Sequence, residues 1–138
     1  MATGGYSGTP LTAKLGIKAG HRVLLVGAPR GFEAGLVVPP GARLSRRVGN
    51  GPYDAILFFT SRRSTFEAEL ARMRGRMTPA CGLWICWPKK ASRVPTDMSG
   101  DVVREVALPT GLVDNKVCGV DEVWSGLRLV IRKELRGA

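Results

Sequence analysis

The sequence lacks a second histidine, and His21 is the only one in the chain. It stands just before the first predicted strand, at the end of the sheet opposite the expected ligand site, so we expect it to be structural. Common nucleophilic sites pair a serine or cysteine with a histidine that takes its proton. The sequence therefore excludes such a pair at the ligand site, and we predict no catalytic residue.

Cysteine is also scarce, with three residues in apolar surroundings. An odd number of cysteines in such surroundings is typical of reduced, buried thiols in the cytoplasm. Cys81 and Cys86 fall along one predicted strand, which is not the arrangement of a zinc site. We expect Cys81, Cys86 and Cys118 to be free thiols, and we predict no metal site.

Long hydrophobic runs are absent as well. No apolar segment approaches the ~20 residues that a membrane-spanning helix requires. The opening stretch MATGGYSGTP has no basic region followed by an apolar one, so it does not resemble a signal peptide. We therefore expect a cytoplasmic protein with no membrane partner.

Acidic residues are few, with 11 Asp and Glu against 21 Lys and Arg, which gives a net charge of +10. The imbalance is regional, because residues 1–90 hold 14 cations and 4 acids whereas residues 91–138 hold seven of each. Such an excess indicates an anionic partner or a charge that only keeps the protein in solution.

Short apolar runs alternate with helical patterns, which predicts a mostly parallel sheet covered on both faces. The predicted strands are 22–27, 42–48, 54–60 and 82–88, then an antiparallel pair at 116–121 and 126–133 that turns near Trp124 and Ser125. The predicted helices are 11–15, 64–77 and 101–108, the first capped by Thr9 and the second by Ser64 with Glu67.

These elements predict a single three-layer, Rossmann-like α/β domain at 21–138. An N-terminal arm and short helix at 1–20 precede it. Tyr6 in that arm could act as a lid or a docking arm.

The stretch RVLLVGAPRGF, residues 22–32, begins like a nucleotide-binding loop but lacks its chemistry. The dinucleotide fingerprint requires a glycine where Pro29 stands, and proline offers no N–H to a phosphate. The acid expected after the second strand to bind a ribose is replaced by Arg46 and Arg47. We therefore predict no nucleotide cofactor and no S-adenosylmethionine, although Gly31 could open a helix whose N-terminus attracts an anion.

Each predicted parallel strand is followed by at least one cation. The carboxyl ends of parallel strands share one edge of the sheet, where ligands of such folds bind. We therefore predict an anion-binding site there, although each cation could also be an ordinary solvated loop charge. The predicted site consists of Arg30, Gly31, Arg46, Arg47, Arg62, Arg63, Lys89 and Lys90.

The order of these elements, with its final antiparallel pair, resembles a shortened S-adenosylmethionine-dependent methyltransferase fold. The glycine motif and the acidic ribose residue of that family are both altered here, and no Asn-Pro-Pro-Tyr-like motif follows DAILFF. The segments GYSGTPLTAKLGI, RVLLVGAPRGFEAGL, WPKKAS and ALPTGLVDNKVCGVDEVWSGLRLV resemble a bacterial family of small proteins of unknown function. That resemblance implies a bacterial, cytoplasmic origin and supplies no catalytic residues.

Three functions are compatible with these patterns. The first is non-catalytic binding of a phosphate-bearing ligand, whether nucleic acid or a phosphorylated small molecule. The second is a protein-interaction module on a former enzyme fold, and the third is an enzyme that acts on a small phosphorylated substrate. The altered loop and the absence of a catalytic pair favour the first.

Overall fold

One six-stranded sheet organises the computed structural model, which describes residues 10–136. The strands lie in the order β2-β1-β3-β4-β6-β5; the first four are parallel, and β6 is antiparallel to both β4 and β5. The strands are β1 (Arg22–Val26), β2 (Arg43–Ser45), β3 (Tyr53–Phe59), β4 (Met77–Pro88), β5 (Leu112–Gly119) and β6 (Trp124–Ile131). The helices are α1 (Leu11–Leu15), α2 (Arg63–Arg74) and α3 (Gly100–Ala107).

The central strands are apolar on both sides because both faces of the sheet are covered. On β3, Ile56 and Phe58 pack on one face and Leu57 on the other, all of them buried. Helices α2 and α3 cover the first face, with Leu70 and Val103 among the buried residues that they contribute. A parallel sheet with this pattern requires a layer on each side.

The second face is covered more thinly, by α1 and the segment that follows β1. Leu15 of α1 and Phe32 after β1 lie in the same buried cluster as Trp84 of β4. The indole Nε1 of Trp84 donates a hydrogen bond to the carbonyl oxygen of Leu15 at 2.9 Å, which fixes α1 against the middle of the sheet. These layers confirm the predicted three-layer α/β architecture with its final antiparallel pair.

Several predicted strands differ from the structure at their ends, and β4 begins at Met77 instead of the predicted residue 82. The second strand covers three residues instead of the predicted 42–48, because β2 is an edge strand that pairs with β1 alone. The antiparallel pair begins earlier than predicted, and Trp124 starts β6 instead of lying in the turn.

The predicted cap of the 64–77 helix is wrong. Helix α2 begins at Arg63, after an Arg62 cap that forms no side-chain hydrogen bond, so Ser64 is not the cap. A distant carboxylate takes that role, since Asp97 Oδ1 accepts the N–H of Arg63 at 2.7 Å. Met77 begins β4 instead of ending the helix. The predicted cap Thr9 and the arm around Tyr6 lie outside the described residues.

Candidate functional site

A cavity of about 350 Å³ opens at the carboxyl end of β1. The chain leaves β1 to form β2 on one side and later returns as β3 on the other. Ligands of open α/β sheets bind at such a reversal of strand order. The cavity is lined by Leu25, Gly27, Ala28, Pro29, Arg30, Gly31, Glu33 and Arg46.

Two glycines give the loop after β1 its shape. Gly27 and Gly31 have φ angles of +70° and +85°, in the left-handed region that favours glycine. A Cβ on Gly27 would lie 2.6 Å from the carbonyl oxygen of Phe59, whereas one on Gly31 would have no neighbour within 4 Å. The loop therefore passes close to the end of β3 at Gly27 and is free of close contacts at Gly31.

Arg46 lies in this cavity with a carboxylate already bound to it. Its Nε donates to Glu33 Oε1 at 2.7 Å, and its Nη2 donates to the second oxygen of the same carboxylate. The hydrogen bonds from Arg46 lower the pKa of Glu33, and the reciprocal bonds raise the pKa of Arg46. Sequence reasoning missed Glu33, although it is the only acidic residue before Asp54.

Two more of the predicted cations have partners inside the protein. Arg63 donates to Glu67 at 2.9 Å and to Glu105 at 2.7 Å, and these hydrogen bonds raise the pKa of its guanidinium. Lys89 Nζ donates to the carbonyl oxygen of Asp121 at 2.6 Å, which holds it against the turn between β5 and β6. Arg63 thus joins α2 to α3, and Lys89 stabilises the turn between β5 and β6.

The other four predicted cations are exposed. Within residues 10–136 their side chains form no hydrogen bond or ion pair with the protein. Each follows a different parallel strand, so all four belong to the C-terminal edge, the edge of the sheet where β1 to β4 end. Only the first of them lines the cavity. These residues are Arg30, Arg47, Arg62 and Lys90.

Arg93 is a fifth exposed cation at this edge, and sequence reasoning missed it. It follows the turn Lys90–Ser92 with a φ of +63°, the only positive φ of a non-glycine residue in the described part of the chain. Its side chain has no partner among the described residues. The available signal was the segment KKASR, which adds a third cation after the end of β4.

The other candidates occupy structural positions. His21 Nδ1 accepts the backbone N–H of Lys18 at 3.1 Å. Cys81 and Cys86 are free and buried in different clusters on opposite faces of the sheet, and Cys118 is free and half-buried.

In the described range, no group of three His, Cys, Asp or Glu side chains could hold a metal ion. No helix within residues 10–136 is long and apolar enough to cross a membrane.

Comparison with protein-family models gives no match, and comparison with curated proteins gives none either. Solved structures do match. Magnesium protoporphyrin IX methyltransferase from Synechocystis PCC 6803 superposes with a TM-score of 0.59 and 13% identity, over 87% of this chain and 74% of that one. A TehB-like SAM-dependent methyltransferase from Corynebacterium glutamicum gives 0.56 and 13%, over 93% and 90%.

A fibrillarin from Aeropyrum pernix, solved with bound S-adenosyl-L-methionine, gives a TM-score of 0.59 at 14% identity, over 91% of this chain and 70% of that one. Identities this low establish a shared fold and nothing about activity. The chain therefore has a methyltransferase-like Rossmann fold, as the order of its elements predicted.

Proposed function

We propose that this protein binds phosphate-bearing ligands, without catalysis, at the C-terminal edge of its sheet. The observation that carries this proposal is the set of four exposed cations without internal partners at the ends of four adjacent strands. Like charges held on one edge repel each other. A bound phosphate group would supply the missing negative charge, and guanidinium groups bind phosphate through paired N–H donors.

The cavity beside Arg30 is suited to a compact phosphorylated group. Its volume of about 350 Å³ lies near the lower end of the range for small-molecule sites. Arg30 lines the cavity, is exposed to solvent and has no counterion within residues 10–136. Arg46 already binds Glu33, so Arg30 is the cation of this cavity that a ligand can engage at no loss to the protein.

S-adenosylmethionine is a poor fit for the same cavity. Pro29 removes a backbone donor from the loop. Arg46 stands where methyltransferases place the acid that binds the ribose hydroxyls. We expect calorimetry to show no affinity for this cofactor, and a micromolar affinity would contradict the proposal. From the resemblance to a bacterial family we also propose a bacterial, cytoplasmic setting.

The proposal is tested by calorimetry with ATP and with inorganic triphosphate at low salt. We expect both to bind, and we expect Arg30→Gln to weaken binding severalfold, since it removes the unpaired charge from the cavity. Lys133→Gln is the matched control, because Lys133 is an exposed cation after β6, at the opposite edge of the sheet. Equal losses in both variants, or no binding at all, would refute the site.

The non-catalytic part of the proposal has its own readout. After prolonged incubation with the protein, ATP should be recovered unchanged when the mixture is analysed by chromatography. Conversion of ATP to a product that Arg30→Gln abolishes would favour the enzyme instead.

A further inference from the structure

We propose that the phosphates bound at the C-terminal edge belong to the backbone of a nucleic-acid duplex, which the protein contacts without reading its sequence. This inference rests on the proposed function and names its ligand class. It is carried by the spread of the exposed cations, by the position of Arg93 beside them and by the absence of exposed aromatic rings within residues 10–136.

The cations extend too far for one compact ligand. They follow β2, β1, β3 and β4, which are neighbours in that order. Three steps between adjacent strands span roughly 14 Å at the usual strand spacing of about 4.8 Å. A nucleic-acid strand presents a phosphate about every 3.4 Å of helix axis, so a row of this length can lie across several phosphates of a duplex.

Arg93 extends the row beyond Lys90 at a cost in backbone strain. A non-glycine residue in the left-handed region is disfavoured, and glycine or asparagine would occupy it more easily. The strained residue is a long cation with an exposed side chain that has no partner within residues 10–136. The conformation closes the turn Lys90–Ser92, because the N–H of Arg93 donates to the carbonyl oxygen of Lys90 at 3.0 Å. The turn thereby places a fifth exposed cation next to Lys90.

The two loops at the β3 and β4 end of the row are fixed to each other. Thr96 Oγ1 donates to the carbonyl oxygen of Ser61 at 2.7 Å, and Asp97 accepts the N–H of Arg63. Arg62 and Arg93 thus project from one joined surface and not from two independent loops. A fixed row loses less conformational entropy when it binds a regular ligand.

The carboxylates near the row are already engaged. Glu33 binds Arg46, Asp97 caps α2, and Asp121 Oδ1 accepts the N–H groups of Val123 and Trp124 at 2.8 Å each. Among the described residues of this edge, Glu122 is the acid without such a partner. Hydrogen bonds from neutral N–H groups orient Asp97 and Asp121 but leave their charges in place. The five exposed cations and Lys89, whose partner is a neutral carbonyl, outnumber these two acids and Glu122, so the net charge presented to a ligand is positive.

The ligand class follows from what accompanies the cations. Proteins that bind single strands stack the bases on exposed aromatic rings. Every Phe, Tyr and Trp within residues 10–136 is buried or half-buried, so no stacking platform is exposed there. A duplex keeps its bases stacked inside and offers phosphates outside, which is what a row of cations alone can bind.

The test is a fluorescence-anisotropy titration of the full chain with labelled DNA and RNA duplexes of about 20 base pairs, roughly two helical turns. Five phosphate contacts predict a slope of log affinity against log salt of about −4.5 on DNA. Arg93→Gly should make that slope shallower by about 0.9 and weaken binding about eightfold at 0.1 M salt, while its unfolding midpoint is no lower than that of the parent. Lys90→Gln should give the same loss of affinity, and Lys133→Gln none.

Several outcomes would overturn the inference. A single strand of equal length that binds more tightly than the duplex would contradict the argument from aromatic rings. An equal loss in Lys133→Gln would place the contact elsewhere. If ATP binds and neither duplex does, this inference fails and the proposed function stands. If none of these ligands binds at low salt, both fail.

Discussion

The loop that forms the cavity depends on Gly27, and Gly27→Ala tests this directly. The new Cβ would lie 2.6 Å from the carbonyl oxygen of Phe59, closer than real Cβ contacts come. That oxygen belongs to the backbone of a central strand, so it cannot rotate away as a side chain would. The loop must therefore shift, and the cavity must change shape with it.

The expected loss of stability has two parts. Placing alanine in the left-handed region costs about 1–2 kcal/mol. Forcing an extra methyl group into a packed position costs typically about 1–3 kcal/mol more. We expect Gly27→Ala to lower the free energy of unfolding by roughly 2–5 kcal/mol.

Gly31→Ala separates these two parts. Gly31 has a similar φ, +85°, but a Cβ there meets nothing within 4 Å. It should therefore cost only the backbone strain of about 1–2 kcal/mol. Urea denaturation of both variants, with equal slopes, gives the comparison. Equal losses would show that the close approach of the loop to β3 does not exist.

Three further predictions address the cavity and the core. Glu33→Gln should strengthen ATP binding severalfold in calorimetry, because a negative charge leaves the cavity and its arginine partner is released; unchanged affinity would place the ligand elsewhere. Leu70→Ala should lower the free energy of unfolding by roughly 2–5 kcal/mol in urea denaturation, since Leu70 of α2 is only 2% exposed. An unchanged midpoint would mean that this face of α2 is not part of the core. Burial raises the pKa of Cys81 to about 12, so its contribution to stability is complete below the ordinary thiol pKa of about 8.5 and falls as pH rises toward 12. Cys81→Ala should therefore reduce the loss of stability measured between neutral and alkaline pH, and an identical pH profile would contradict this assignment.

The sequence predicts the fold because short stretches of neighbouring residues determine its strands and helices. The run DAILFFT is apolar at every position after its aspartate, and a strand of this kind must be covered on both faces. Helix α1 was predicted at its observed bounds, since Gly16 ends it with a φ of +77°. The start of α2 was not predictable, because its capping carboxylate, Asp97, lies 34 residues away in the chain.

The candidate site was predictable only in outline. The topology predicts that cations after parallel strands share one edge, and four exposed cations occupy it. The sequence could not separate these from Arg46, Arg63 and Lys89, whose partners lie 13, 42 and 32 residues away. Arg93 was missed for a different reason, since the segment KKASR shows the cation but not the turn Lys90–Ser92 that keeps it beside Lys90.

The ion pair between Glu33 and Arg46 in the cavity bears on the proposed binding. A general acid or base works best when its pKa lies near the working pH. The pairing of Glu33 with Arg46 does the opposite, because it lowers the pKa of the acid and raises that of the base. Both groups therefore keep their charges at neutral pH. Glu33 would instead compete with a bound phosphate for Arg46. A phosphate in the cavity would either bind Arg30 and leave the ion pair intact, or displace Glu33 from Arg46. Displacement of Glu33 would add the Arg46 guanidinium to the phosphate site. The increase in ATP affinity of Glu33→Gln measures how much the Glu33 carboxylate weakens binding in the parent protein.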